Sequence, residues 1–190
     1  MTSTSDLEQL IRSIVETFDR EGIPYAIVGA YARNAWARPR ATTDADFAVE
    51  LDAGRLARLL AAADALDLTV RKTRTEVPED PVPDLLLLVS RRDPALRVDF
   101  LVAKTQFERS AVARAQATTL AGVPCRVADP DDLVVYKIVA GRTQDFADVE
   151  EVVRARRAAG RPIDWTHVER WAADFGLEQR VADLRQRLGE

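Results

Sequence analysis

The sequence predicts an α+β protein: a mixed α/β sheet with helices packed on it, followed by a helical C-terminal portion. Three observations carry that prediction. Short apolar or alternating runs of strand length recur between residues 23 and 127. Segments with apolar residues three and four apart fall between those runs. After Asp129-Pro130 only the helical period remains. The expected organisation is a core over 1–128 and a helical portion over 129–190 packed on it, with no linker between them.

Composition limits what the chain does. At 190 residues it is long enough to bury a full core, and 47% apolar with 31% charged residues is a globular balance. A net charge of −4 argues against nonspecific coating of nucleic acid, although a local basic groove is compatible with it. The lone Cys125 excludes an internal disulfide, and with the lone His167 it excludes a zinc site built from His and Cys. No apolar run approaches bilayer length, and the N-terminus lacks the basic-then-apolar pattern of a signal peptide. The expectation is a cytoplasmic protein with no membrane partner.

Residues 4–21 read as an amphipathic helix, with Leu7, Leu10, Ile11, Ile14, Val15 and Phe18 on one face. Ser5 with Glu8 resembles a capping box, and Gly22 a stop. Ile23–Val28 reads as a strand buried on both faces, closed by Gly29-Ala30. A short helix follows over Tyr31–Ala37, and Arg38-Pro39-Arg40 breaks it. Asp44–Leu51 is a second strand. Asp52 caps a helix to Leu66, with Leu56, Leu59, Leu60, Ala63 and Leu66 on the buried side. Leu68–Lys72 is a third strand, and Thr75–Asp84, with its three prolines, is a loop. Leu85–Ser90 and Leu96–Ala103 form a hairpin, then come a helix over Gln106–Ala115 and a strand over Val123–Val127. Helices are predicted over Asp131–Ala140, Asp145–Ala158, Asp164–Phe175 and Glu178–Leu188, with Asp129 and Asp145 as N-caps.

The chemistry concentrates in Ile27–Glu50. Asp44 and Asp46 are two apart in a strand, so they project from one face. Two anions that close repel each other, and a divalent cation relieves the repulsion. Mg²⁺ suits one or two carboxylates completed by water and phosphate oxygens. The alternative is a polar turn at Asp44 and a solvent-facing Asp46. Three features weigh against it. Gly29, at a strand-to-helix turn, lets backbone N–H groups approach phosphate. Asp99, inside the apolar run Leu96–Val102, needs a partner or a role, and brings a third carboxylate if its strand neighbours that of Asp44. Lys137, Arg142, Asp145 and Asp148 supply a polar wall, unless Lys137 merely reaches to water and the two acids serve the start of a helix.

The order Gly29-Ala30, Arg40-x-Thr42-x-Asp44-x-Asp46 and Asp99 resembles the polymerase-β-type nucleotidyltransferases. The tail Lys137…Gly141-Arg142…Asp145-Phe146-x-Asp148 resembles their AbiEii-like minimal members from toxin–antitoxin systems. The resemblance spans roughly residues 25–152. It implies a nucleotidyltransferase fold and transfer of a nucleoside monophosphate from an NTP to a hydroxyl, with pyrophosphate leaving. It further implies Mg²⁺, or Mn²⁺ in its place, held by Asp44, Asp46 and Asp99. Asp99 would also help activate the attacking hydroxyl, Lys137 would contact the triphosphate, and Asp145 or Asp148 would complete the pocket. Gly29, Ala30, Arg40, Thr42, Lys137, Arg142 and Asp148 would then bind nucleotide. Implied partners are an NTP, an RNA acceptor such as the 3′ end of tRNA, and a cognate antitoxin. Two positions depart from the family pattern: Ala30 replaces a serine or glycine, and Gln144 stands where a basic residue is common.

Elsewhere the bland readings lead. His167 reads as a surface or packing residue, Cys125 as a buried small hydrophobe, and Trp171 with Phe175 as core. The Arg154–Arg157 run with Arg161 reads as a solvated face, with a phosphate-contacting patch for RNA as the alternative, whereas Arg33, Arg38 and Arg40 are better placed for substrate phosphates. The leading expectation is a toxin-type RNA nucleotidyltransferase. Alternatives are an enzyme acting on a small molecule such as an aminoglycoside, or, given Ala30, a weakened scaffold that binds nucleotide or a partner.

Overall fold

The structure, a computed structural model, describes residues 4–77 and 79–190, with side chains of the first helix from Asp6 onward. The expected capping role of Ser5 and the conformation of Pro78 lie outside the described residues. Helix α1 (Thr4–Glu21) leads into β1 (Tyr25–Val28), α2 (Gly29–Trp36), β2 (Asp44–Val49), α3 (Ala53–Ala65) and β3 (Leu68–Arg74). Strands β4 (Leu85–Ser90) and β5 (Arg97–Val102) follow, then α4 (Gln106–Arg114), β6 (Gln116–Leu120) and β7 (Val123–Val127). Helices α5 (Pro130–Ala140), α6 (Thr143–Ala158), α7 (Trp165–Asp174) and α8 (Glu178–Leu188) complete the chain. Among the described residues, no helix is long and apolar enough to cross a membrane.

The seven strands form one mixed sheet in the order β3-β4-β5-β2-β1-β7-β6. Strands β2 and β5 run parallel, as do β1 and β7, and the other neighbours are antiparallel. One face carries the core. Phe18 of α1 sits between Tyr25, Phe47 and Phe100 at ring distances of 5.2, 5.5 and 5.6 Å, and α3 adds Leu59 and Ala63 beside Leu68. These buried rings belong to one continuous apolar core that also includes Phe107, Leu133 and Trp171. The other face carries, at the start of β2 and β5, the residues with chemistry.

Several expectations need correction. Helix α2 starts at Gly29 rather than Tyr31, because Gly29 takes φ +65° and turns the chain directly into the helix. Strand β3 extends to Arg74, paired with β4 across a bulge. Strand β6 was not foreseen; it pairs with β7 through a turn in which Ala121 and Gly122 both have positive φ. Leu60 faces solvent, and Phe175 is exposed at the rim of a cluster with Phe107, although Trp171 is buried. Helix α6 begins two residues early, with Arg142 at the N-cap. Asp145 is its third residue and accepts from the Arg142 backbone N–H at 3.2 Å.

His167 is neither bare surface nor simple packing. Its Nε2 lies 2.6 Å from Asp132 Oδ1, and Arg114 Nε donates to Asp132 Oδ2 at 3.0 Å. Asp132 is fully buried, so one carboxylate fastens α4 and α7 to α5. Removing a buried partner leaves the others unpaired. Asp132→Ala is expected to lower the urea unfolding free energy by about 2–4 kcal/mol. Substituting the exposed Leu60 with serine should change it by less than about 0.5 kcal/mol.

Candidate active site

The parallel register of β2 and β5 sets Asp46 beside Asp99 and Asp44 beside Arg97, all four on one sheet face. The antiparallel register of β1 and β2 sets Val28 beside Asp46, so Gly29 follows immediately at the end of the same row. A Cβ built on Gly29 would lie 1.9 Å from Asp46 Oδ2. Gly29 is therefore required twice, by its φ and by the carboxylate against it. Asp44 accepts from the Thr42 hydroxyl at 2.7 Å and pairs with Arg97 at 3.3 Å.

Desolvation and the charges of Asp44 and Asp99 push Asp46 up to about 7, against a smaller lowering from Lys137 and Arg142. Burial and Asp44 also raise Asp99, which Arg97 partly offsets. Among the described residues no three acids, histidines or cysteines form a ready-made metal cage. A set of mutually repelling carboxylates still suits a cation that takes two or three of them and completes its shell from water and substrate.

Facing the carboxylates are α5 and α6. Lys137 is buried and donates to Asp145 at 2.9 Å and Asp148 at 2.8 Å, so it does not reach out to water. Arg40 closes a fork on Asp148 through Nε and Nη2 at 3.2 and 3.0 Å, and Arg33 Nε stands 3.6 Å away. Arg142 Nε donates to Asp145 at 2.7 Å while most of its side chain stays exposed. Burial alone would raise both acids, but these donors outweigh it and hold Asp145 and Asp148 below the usual carboxylate range. Asp148 is thus an ion-pair hub rather than a first-turn acid.

These groups line one cavity of about 300 Å³, bounded by Ala30, Arg40, Thr42, Asp44, Asp46, Asp99, Lys137, Arg142, Gln144, Asp145 and Asp148. Every metal, catalytic and nucleotide-binding residue expected from the sequence lines it except Gly29, which lies against Asp46; of the arginines expected near substrate phosphates, Arg40 lines it and Arg33 and Arg38 do not. Arg33 is drawn into the structure: it is 5% exposed and also holds the Arg38 carbonyl. Arg97 pairs with Asp44, its neighbour in the parallel register, and not with Asp99 on its own strand. A larger cavity of about 470 Å³ lies among α1, α3 and the β4–β5 loop, but its Asp67 is already paired with Arg91 and Arg92. The loop between β3 and β4 is tied through Asp80 and Asp84 to Lys104, five residues beyond Asp99.

The folded pKa of Asp46 lies above the unfolded value. Its stabilising contribution is therefore complete below about pH 4 and disappears as the pH rises to about 7, leaving a buried anion above that. In chelator, Asp46→Asn is expected to be more stable than the parent by about 1–3 kcal/mol at pH 8, with the gain shrinking toward pH 4. Urea titrations at the two pH values check this, and a gain independent of pH would contradict it. Gly29→Ala should cost more than about 2 kcal/mol and couple to Asp46: in an Asp46→Ala background the cost should fall, leaving the backbone strain and the 3.0 Å contact with the remaining Cβ.

No family model matches the sequence, and neither does any curated protein. Solved structures do match. The antibiotic-resistance factor ANT(2'')-Ia in solution superposes with a TM-score of 0.58 over 98% of both chains, at 18% identity. An antigenic nucleotidyltransferase-like protein from Paracoccidioides brasiliensis gives 0.55 at 18% identity, over 98% of this chain and 94% of that one. The lincomycin-bound lincosamide antibiotic adenylyltransferase LnuA gives 0.55 at 10% identity, over 76% of this chain and 95% of that one. The mixed sheet with its flanking helices is a nucleotidyltransferase fold.

Proposed function

We propose that the protein is a divalent-metal-dependent nucleotidyltransferase that moves a nucleoside monophosphate from an NTP to a hydroxyl. The observation that carries this is the in-register row Asp46–Asp99, with Asp44 one step along, facing three cations, Lys137, Arg40 and Arg142, gathered around two buried acids. Asp44, Asp46 and Asp99 are the residues that would hold Mg²⁺, or Mn²⁺ in its place. The ion would supply a clamp on the phosphate oxygens and neutralise charge developing on the attacking and leaving oxygens.

The chain's own residues do the positioning. Lys137 has three N–H donors and spends two on Asp145 and Asp148, leaving one for a phosphate oxygen in the cavity. Arg142 keeps its exposed guanidinium edge for the same triphosphate. The first N–H groups of α2 at Gly29 and Ala30 offer further donors, without the hydroxyl that a serine would add. Asp99, whose carboxyl is raised, takes the proton of the acceptor hydroxyl as its oxygen bonds to the α-phosphorus. The bond from that phosphorus to the bridging oxygen breaks, and pyrophosphate leaves with the electron pair. Arg40 and Thr42 orient Asp148 and Asp44.

The motif resemblance supports the finer reading of an RNA acceptor, such as a tRNA 3′ end, in a toxin restrained by a partner protein. A second reading, transfer to an antibiotic-like small molecule, draws on a whole-chain match. ANT(2'')-Ia in complex with adenylyl-2''-tobramycin superposes with a TM-score of 0.51 over 97% of this chain.

Incubation with labelled NTPs, Mg²⁺ and either total tRNA or tobramycin separates the two. Label is expected on one acceptor, and Asp44→Ala and Lys137→Ala should each reduce it by about 100-fold or more. No label on either acceptor, with no thermal shift from Mg-NTP, would overturn the enzymatic reading.

A further inference from the structure

The outer face of strands β3, β4 and β5 has no part in the chemistry described so far, although it is continuous with the carboxylates. The register defines three rows on that face: Thr69–Val89–Arg97–Asp44, Lys72–Leu87–Asp99–Asp46 and Arg74–Leu85–Leu101–Ala48. α1 and α3 pack on the opposite face, around Phe18, Leu68 and Phe100.

Strand β4 begins with four consecutive leucines. Leu86 and Leu88 are buried in the core, whereas Leu85 and Leu87 point outward and are only half-buried, as is Leu101 beside them. A water-facing strand normally alternates with polar residues, so an apolar outer row signals a surface that something covers.

The charges on that face have one sign. Lys72, Arg74 and Arg97 are all exposed, and the acids in the three rows are the site carboxylates themselves. Arg74 is engaged with Glu76 and Arg97 with Asp44, both in exposed pairs that are worth little and exchange readily. A polycationic acceptor would meet repulsion here, whereas a phosphodiester chain would meet three cations with apolar patches between them. The exposed arginines of α6 differ in their setting: they stand on a helix with acids of their own beside them, Glu150 and Glu151 for Arg154 and Glu190 for Arg157, and not along an apolar strand row that leads to the carboxylates.

We infer that this face is the acceptor platform and that its occupant is the 3′ end of a single-stranded RNA. The terminal hydroxyl lies at Asp99, the preceding sugars and bases lie over Leu87, Leu85 and Leu101, and the phosphates lie on Arg97, Lys72 and Arg74. Arg97 then has two partners: Asp44 in the free protein and the last phosphodiester in the complex. Sheet faces elsewhere hold single strands by pairing cations with aromatic residues on which bases stack; here the cations are paired with the aliphatic Leu85, Leu87 and Leu101. The inference rests on the nucleotidyl-transfer reading for its direction, but the surface can be tested without catalysis.

Fluorescence anisotropy of a labelled eight-nucleotide RNA, in chelator and without NTP, measures the platform alone. The variant Lys72→Gln/Arg74→Gln/Arg97→Gln is expected to bind about 10-fold or more weakly at low salt. Its slope of log affinity against log salt should be shallower by about 2, the change for three lost phosphate contacts on a single strand. Lys72→Glu/Arg74→Glu, away from the carboxylates, should weaken binding in the same direction, and Arg154→Gln/Arg157→Gln should leave it unchanged. Equal affinity and slope in the platform variants, or an equal loss in the α6 variant, overturns the proposal. Platform-dependent RNA binding without any NTP-dependent label would sustain the surface and remove nucleotidyl transfer. Label on tobramycin with no RNA binding would do the reverse.

Discussion

The structure around the site depends on one carboxylate. Asp148, almost wholly buried, receives Lys137 from α5, the Arg40 fork from the segment before β2, and Arg33 from α2. A buried anion is tolerable only when its partners are close and hydrogen-bonded, so these elements cannot drift apart without exposing its full desolvation cost. Asp145 repeats the arrangement one turn earlier with Lys137 and Arg142. At the cavity wall Lys137, Arg40 and Arg142 surround two acids, which leaves a surplus of one positive charge there, and Arg33, which does not line the cavity, also approaches Glu151 at 3.9 Å.

The opposite wall has the reverse imbalance. Asp44, Asp46 and Asp99 crowd together with only Arg97 among them, and the strain shows in the raised Asp46. Neither wall is electrostatically complete. One lacks anions and the other lacks cations, and the metal-bound triphosphate proposed above would supply both. Structural ion-pair networks normally end near neutrality. Two facing imbalances of opposite sign are better explained by a missing ligand than by stability.

Much of this was legible in the sequence where short-range periodicity governs. Asp44 and Asp46 share a face because strands alternate, and the helical stripe of α1 could be counted. Asp99 was only half legible, since its place depends on a parallel β2–β5 pairing that no local pattern encodes. Asp145 was misplaced as an N-cap because Arg142, a poor capping residue, holds that position and is capped from the third residue instead. Strand β6 escaped because Gln116–Leu120 is half polar and its turn, Ala121-Gly122, lacks the usual asparagine. The lone His167 looked inert because its partner Asp132 is 35 residues away in sequence.

The same network explains why the helical portion belongs to the site rather than beside it. Lys137, Arg142, Asp145 and Asp148 all lie after residue 129, yet Asp148 is satisfied largely by Arg40 and Arg33 from the sheet side. Packing of α5 and α6 on α2 and assembly of the phosphate wall are therefore one event, paired through the same hydrogen bonds. The phosphate ligand proposed above would draw Lys137 or Arg142 toward itself and loosen their hold on Asp145 and Asp148, while Arg40 and Arg33 would keep Asp148 in place. Two sets of cations on one acid would then let the wall bind that ligand without releasing the helices that carry it.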